Sequence, residues 1–413
     1  MKNNLHTFIM GILTLFVIYL YFLSAEPLSS SHITFKEFPT INIKKEEINA
    51  LNYLNKLRTN AGLIPLKSHH ILAKAAKNHA NYLTNHLTYG HKEEKRFKDF
   101  TGLFASERIQ EVGFSAPQVI ENVSANNKNY KESIDGLFAA IYHRMAFLDF
   151  RLDIIGIGVS QNKTHPSHTA FVYDMSTKEL EKLYKQTSIT QKQLTEAIES
   201  NKNKNNKVVI YPYDRQRDVP PAFFDELPDP LPNYKVSGYP ISVSFNPAIY
   251  KKAKLISFKL FNRDGIEITD TTILDAKSDP NRRLTSMDFV LFPLKRLAWN
   301  QHYYVKFKAI VDNRLITKEW SFHTRKFNKP LYTITKNHNS FAINIGESYI
   351  LYFPPDSKDE LLGDIRYPSN YDIEFIDKNT IKLTLLYSKK EETTLNIGNH
   401  VIKIYEKKYN IHN

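Results

Sequence analysis

Residues 141–159 read IYHRMAFLDFRLDIIGIGV, and two periodicities meet inside this stretch. Its first part continues an apolar pattern at helical spacing, Ile134, Leu137, Phe138, Ile141, Met145 and Leu148, which predicts one amphipathic helix. Its last part, Ile154 to Val159, is a short apolar run whose Gly156 and Gly158 predict a buried strand closely approached by a neighbouring backbone. His143 lies two residues from both Ile141 and Met145, about 200° around the helix, and so points away from the apolar stripe. Working outward, Leu72, Ala75, Ala76, His79 and Leu83 form one buried face of an earlier helix within 71–87, with His79 expected as a satisfied core histidine. Ala170 to Tyr173 reads as a further strand. Helices and short strands mixed within 41–177 predict an α+β domain.

The remainder changes character twice. Residues 178–207 begin helix-prone (KELEKLYKQ) and end in SNKNKNNK, which predicts a helical edge followed by a solvated linker. Prolines 212, 220, 221, 228, 230 and 232 then exclude regular helix and central strand, so this part of 208–327 reads as an extended lead-in. From Pro240 to Thr324, alternating runs separated by turn signals predict roughly seven strands of an immunoglobulin-like sandwich, with Trp320 and Phe322 facing inward. Residues 328–413 repeat short strands and predict a small β module with little core of its own. At the other end, the apolar run Phe8 to Leu23 after Lys2 reads as a signal peptide, with a weak cleavage site at Leu23-Ser24-Ala25, or as an N-terminal anchor within 1–25.

The chain has no cysteine, which excludes disulfide frameworks, thiolate metal sites, iron–sulfur clusters and thiol nucleophiles. Chemistry therefore falls to His, Asp, Glu or hydroxyls. Outside the apolar stripes stand His91 in Tyr89-Gly90-His91, Glu107 in Ser106-Glu107-Arg108, Glu121 in Ile120-Glu121-Asn122, and His143-Arg144. In this order, with Gly113-Phe114 and the Ile-Gly-Ile-Gly strand, these motifs resemble the CAP superfamily in its bacterial SCP-like form. That superfamily comprises the cysteine-rich secretory proteins, antigen 5 and pathogenesis-related 1 proteins. Leu54 to Leu66 (LNKLRTNAGLIPL) also resembles the family's opening helix and its exit. Ile120 stands where the family usually has Gly.

The resemblance implies an α-β-α sandwich over 41–177 whose central cleft holds two His and two Glu. Carried over, these are His91, His143, Glu107 and Glu121, with His91 and His143 as ligands for a divalent metal such as zinc and Glu121 as a candidate base. Three readings follow from it: a binding protein whose cleft takes a metal or small ligand, a metal-dependent hydrolase of peptide or cell-wall substrates, and a lipid or sterol binder. No Gly-x-Ser-x-Gly or His-Glu-x-x-His motif supports the hydrolase, so binding is favoured over catalysis. The net charge of +13 falls mostly after residue 177, away from the cleft. No aromatic-interleaved basic motif of nucleic-acid type occurs. Export to the periplasm, the inner-membrane surface or the exterior is expected, with peptidoglycan, lipid or anionic glycan as partners and membrane contact only through the N-terminal segment.

Overall fold

The computed structural model describes residues 38–362, 365–389 and 391–406, so the expected leader over 1–25 lies outside the described residues. Among the described residues no helix is long and apolar enough to cross a membrane. Two compact units are present, one of Glu37–Phe327 with Pro355–Glu360, and one built from Asn328–Pro354 and the chain from Leu361 on.

The first unit begins with α1 (Ile43–Asn60), β1 (Lys67–Ser68), α2 (His70–Asn85), α3 (Ala105–Glu111), β2 (Ile120–Ala125), α4 (Tyr130–Ala139), α5 (Ile141–Phe147), β3 (Ile154–Gln161) and β4 (Thr169–Ser176). The strands form one sheet in the order β1-β3-β4-β2. Both faces of its centre are covered, which is why β3 and β4 are buried almost throughout instead of alternating. Ile155, Ile157, Val159, Phe171 and Tyr173 pack with Leu54 of α1 and Phe138 of α4. On the other face α2 lies so close that a Cβ on Gly156 would sit 2.0 Å from the Leu72 carbonyl carbon, and one on Gly158 2.2 Å from that of Ala76. This is the α-β-α sandwich that the family resemblance implies.

One expected helix is in fact two. Ala140 is extended (φ −75°, ψ 116°), which breaks the 134–148 pattern between α4 and α5. In a continuous helix the Phe138 carbonyl would accept the Tyr142 N–H. Here it accepts from Arg144 Nε (2.6 Å) and Tyr239 Oη (3.1 Å), while the Tyr142 N–H donates to Glu226. Tertiary partners thus replace the helical bond at both the Phe138 carbonyl and the Tyr142 N–H.

The expected solvated linker is also corrected. After α6 (Lys178–Leu183) and α7 (Gln191–Glu199), Asn201 and Asn205 are buried. Asn205 accepts from the Ile64 N–H (2.7 Å) and donates to the Phe150 carbonyl (2.8 Å), so a run that reads as polar tether is a buried staple. The proline-rich segment likewise supplies structure: β5 (Val208–Tyr211), β6 (Gln216–Val219) and β7 (Ala222–Phe223). There follow β8 (Ser237–Gly238), β9 (Ile241–Phe245), β10 (Ala253–Phe261), β11 (Glu267–Ile268), β12 (Thr271–Leu274), β13 (Asp288–Pro293), β14 (His302–Val311) and β15 (Arg314–Thr324). Two sheets, β11-β10-β14-β15-β6 and β12-β13-β9-β5, face each other through Phe245, Phe289 and Phe307. Both β5 and β6 are edge strands, where neighbouring prolines are tolerated. Trp320 and Phe322 are core residues.

The second unit has two four-stranded sheets of its own. Ile343, Leu351, Ile381, Leu383, Leu395, Ile402 and Ile404 belong to a separate buried cluster. The expectation of little core is thereby corrected: short strands with apolar residues at every second position close a compact interior when two such sheets pack.

Candidate functional site

The α4–α5 break turns α5 toward the β-sandwich. Ile141 packs with Phe223, Leu231, Leu274, Val290 and Phe292. Tyr142 donates its hydroxyl to Asp279, and Arg144 is fully buried, giving Nη1 to the Pro240 carbonyl (2.7 Å) with its guanidinium 5.0 and 4.7 Å from the Tyr211 and Tyr239 ring centroids. His143 lies between these two anchors and faces a cleft.

Across the cleft stands His91, which follows the positive-φ Gly90 and whose carbonyl accepts from Arg108 Nη1 (3.0 Å). The two imidazoles lie with centroids 6.3 Å apart and planes 15° from parallel. Each has Nδ1 on a carboxylate: His91 on Glu121 Oε1 (2.9 Å), His143 on Glu226 Oε2 (3.0 Å). Beside a carboxylate Nδ1 carries the hydrogen, so each carboxylate fixes the orientation of its ring. The cavity between them measures about 690 Å³ and is lined by His91, Glu121, His143, Arg151, Ser244 and Arg283 among others.

Behind His91 lies a buried charge cluster. Glu121, on edge strand β2, accepts at its second oxygen from Arg108 Nη2 (2.5 Å). Burial pushes the Glu121 carboxyl up, but the His91 hydrogen bond and the Arg108 charge outweigh it and hold the group below the usual carboxylate range. Asp174 is the residue facing Glu121 in the β2–β4 register and is fully buried. Burial and the neighbouring Glu121 push its carboxyl well above the ordinary value, against the pull of Arg108. Neither of its oxygens receives a hydrogen from a donor group, which fits a protonated Asp174 giving its own hydrogen to Glu121. His79 is the satisfied core histidine expected, with Nδ1 on Glu93 (2.9 Å) and Nε2 on the Gly90 carbonyl (3.0 Å).

Of the four residues carried over from the resemblance, His91, Glu121 and His143 come together and Glu107 does not. Glu107 is exposed and accepts the Leu103 N–H (2.8 Å), capping the loop that enters α3. A carboxylate there ties the entering loop to the first turn of α3, where negative charge is favoured, and lies outside the cleft lining. The carboxylate that holds the second imidazole is Glu226, buried behind His143 and outside the cleft lining, from the proline-rich stretch; the lining's further carboxylates are Asp149 and Asp288, and sequence reasoning reaches none of the three.

Among the described residues no three or more His, Asp or Glu converge as a closed metal cage. In donor type the two carboxylate-held imidazoles suit zinc, with two of the three or four protein ligands that zinc sites use. Imidazoles sharing one tetrahedral ion have centroids roughly 5 Å apart, against 6.3 Å here, and the His91 side chain is 50% exposed.

Residues 51–175 match the model of the cysteine-rich secretory protein family, CAP. No curated protein matches the chain. Among solved structures, an extracellular protein containing an SCP domain from Bacillus anthracis is 16% identical with a TM-score of 0.28, the match covering 32% of this chain and 40% of that one. An outer surface protein from Borrelia burgdorferi is 19% identical at a TM-score of 0.29, covering 33% of this chain and 94% of that one. A cysteine-rich secretory protein from Staphylococcus aureus is 16% identical at 0.26, covering 33% and 40%. The chain thus spans well under half the length of the first and third of these.

Proposed function

The chain carries a CAP-family domain over residues 51–175, and on that premise we propose that it is an exported envelope protein whose cleft binds one zinc ion through Nε2 of His91 and Nε2 of His143. The observation that carries this reading is the shared arrangement of the two rings, each with Nδ1 on a carboxylate and each lining the same cavity. Neutral imidazoles are good ligands for zinc, and two of them leave positions open for water or a small ligand. When bound, the metal supplies a Lewis-acid centre; the chain's own residues orient the two rings and wall off the cavity.

Binding is favoured over hydrolysis. Glu121, the candidate base, already has one oxygen on His91 and the other on Arg108, and it is held below the usual carboxylate range. A general base needs a free lone pair and a value near the working pH. The β-rich remainder, which holds most of the excess positive charge, would position the cleft against an anionic envelope component.

The test is metal analysis and calorimetry on the full chain. Wild type is expected to hold about one zinc per chain, and the double variant His91→Ala/His143→Ala none. Equal zinc content in the two proteins would remove the reading.

A further inference from the structure

We propose that Glu226 is a positioning residue for this site, so that the CAP-domain cleft is completed by the β-sandwich that follows it in the chain. The inference rests on the zinc reading above and names a part of the site that lies outside residues 51–175. The Glu226 side chain is 1% exposed. A carboxylate so placed costs several kcal/mol unless hydrogen bonds compensate it. Its bonds go to the first turn of α5: Oε2 to His143 Nδ1 (3.0 Å), and both oxygens to the Tyr142 N–H (3.2 and 3.1 Å). The carboxylate is thus aimed at the His143 arm of the cleft.

Its role is separable from simple packing. Ile141 in the apolar junction, Tyr142 on Asp279 and Arg144 on Pro240 already hold the α5 frame. Glu226 adds the hydrogen bond that sets which nitrogen of His143 carries the hydrogen and which way the ring turns. For His91 the same task falls to Glu121, within the domain. Loss of such an outer partner weakens metal binding by roughly 10–100-fold in comparable sites.

The experiment uses the full chain with ¹⁵N-labelled histidine, metal-free, and reads the His143 tautomer from long-range ¹H–¹⁵N spectra, with His143→Ala assigning the signal. Wild type is expected to show the Nδ1–H form alone. Glu226→Ala should populate the other tautomer and weaken zinc binding roughly 10–100-fold by calorimetry. Glu226→Gln, which keeps volume and an acceptor, should fall between, and unchanged near-ultraviolet circular dichroism verifies that both variants are folded. His91→Ala should lose zinc but keep the His143 tautomer. An unchanged tautomer in Glu226→Ala overturns the proposal, whether or not zinc binding falls. A shifted tautomer in a protein whose wild type takes up no zinc would uphold Glu226 as the positioning residue and overturn the zinc reading alone.

Discussion

The two sides of the cleft reach the same chemistry by different construction. His91 is held by Glu121, and Glu121 is neutralised by the buried Arg108 and backed by Asp174, all within one domain. His143 is held by Glu226 from beyond the domain, and the arginine beside it, Arg144, pairs with carbonyls and ring faces instead of a carboxylate. One side is an internal charge cluster and the other a junction between two folds. The difference teaches that a site can keep its ligands in one domain while borrowing the groups that aim them from the next.

The two buried arginines offer the strongest way to break that contrast. Arg108→Ala should cost about 3–5 kcal/mol at neutral pH, because it strands the Glu121 charge. Arg144→Ala should cost about 2–4 kcal/mol through lost carbonyl bonds and ring contacts. Their pH dependence should differ in a defined direction. Glu121 has a folded-state value below its unfolded 4.5, so its contribution is present above that value and lost as pH falls through the folded one. The gap between wild type and Arg108→Ala should therefore narrow in acid, while the Arg144→Ala gap should not. Urea unfolding at several pH values measures both, and parallel behaviour would mean that the two sides are built alike.

The same contrast explains what could be read from the chain. His91, Glu121 and His143 each sit beside a local signal, a Gly turn, a short strand or an off-stripe helical position, and these three converge. Glu226 sits among prolines that suggest an extended lead-in, and nothing nearby marks it as buried; only closure of the sandwich onto α5 does so. The break at Ala140 is equally silent, since neither Gly nor Pro stands there and the cause is a carbonyl taken by Arg144 and Tyr239. Asn201 and Asn205 look like linker residues because composition does not reveal whether an amide meets water or a backbone group. Glu93 lies inside a charged run that carries no local sign of burial, yet it is the buried partner of His79. The helix face of 71–87 and the Gly156/Gly158 strand were legible because their periodicities record packing within one domain.

A smaller effect sharpens the account of the His91 side. Asp174 has a folded-state value raised well above 3.8, so the stability it contributes is present below the unfolded value and lost as pH rises through the folded one. Asp174→Asn keeps the shape and donates to Glu121 without needing a titrating proton. In metal-free protein the variant should be more stable than wild type by about 1–2 kcal/mol at pH 8, with the advantage shrinking toward pH 4. Thermal melts at the two pH values check this. A wild type more stable at pH 8 would mean that Asp174 is not the protonated partner of Glu121.

The smallest effect concerns Glu107, the residue that family resemblance places in the cleft and the structure places at a helix entrance. Its carboxylate accepts the Leu103 N–H and lies in the first turn of α3. Removing such a contact costs about 0.5–1 kcal/mol. Glu107→Ala should therefore lower the melting temperature slightly while leaving zinc affinity at the wild-type value, in contrast to Glu226→Ala. Calorimetry on the two variants side by side decides between the two carboxylates. A tenfold loss of zinc affinity in Glu107→Ala, with none in Glu226→Ala, would return the second acidic position to the domain and erase the asymmetry between the two sides of the cleft.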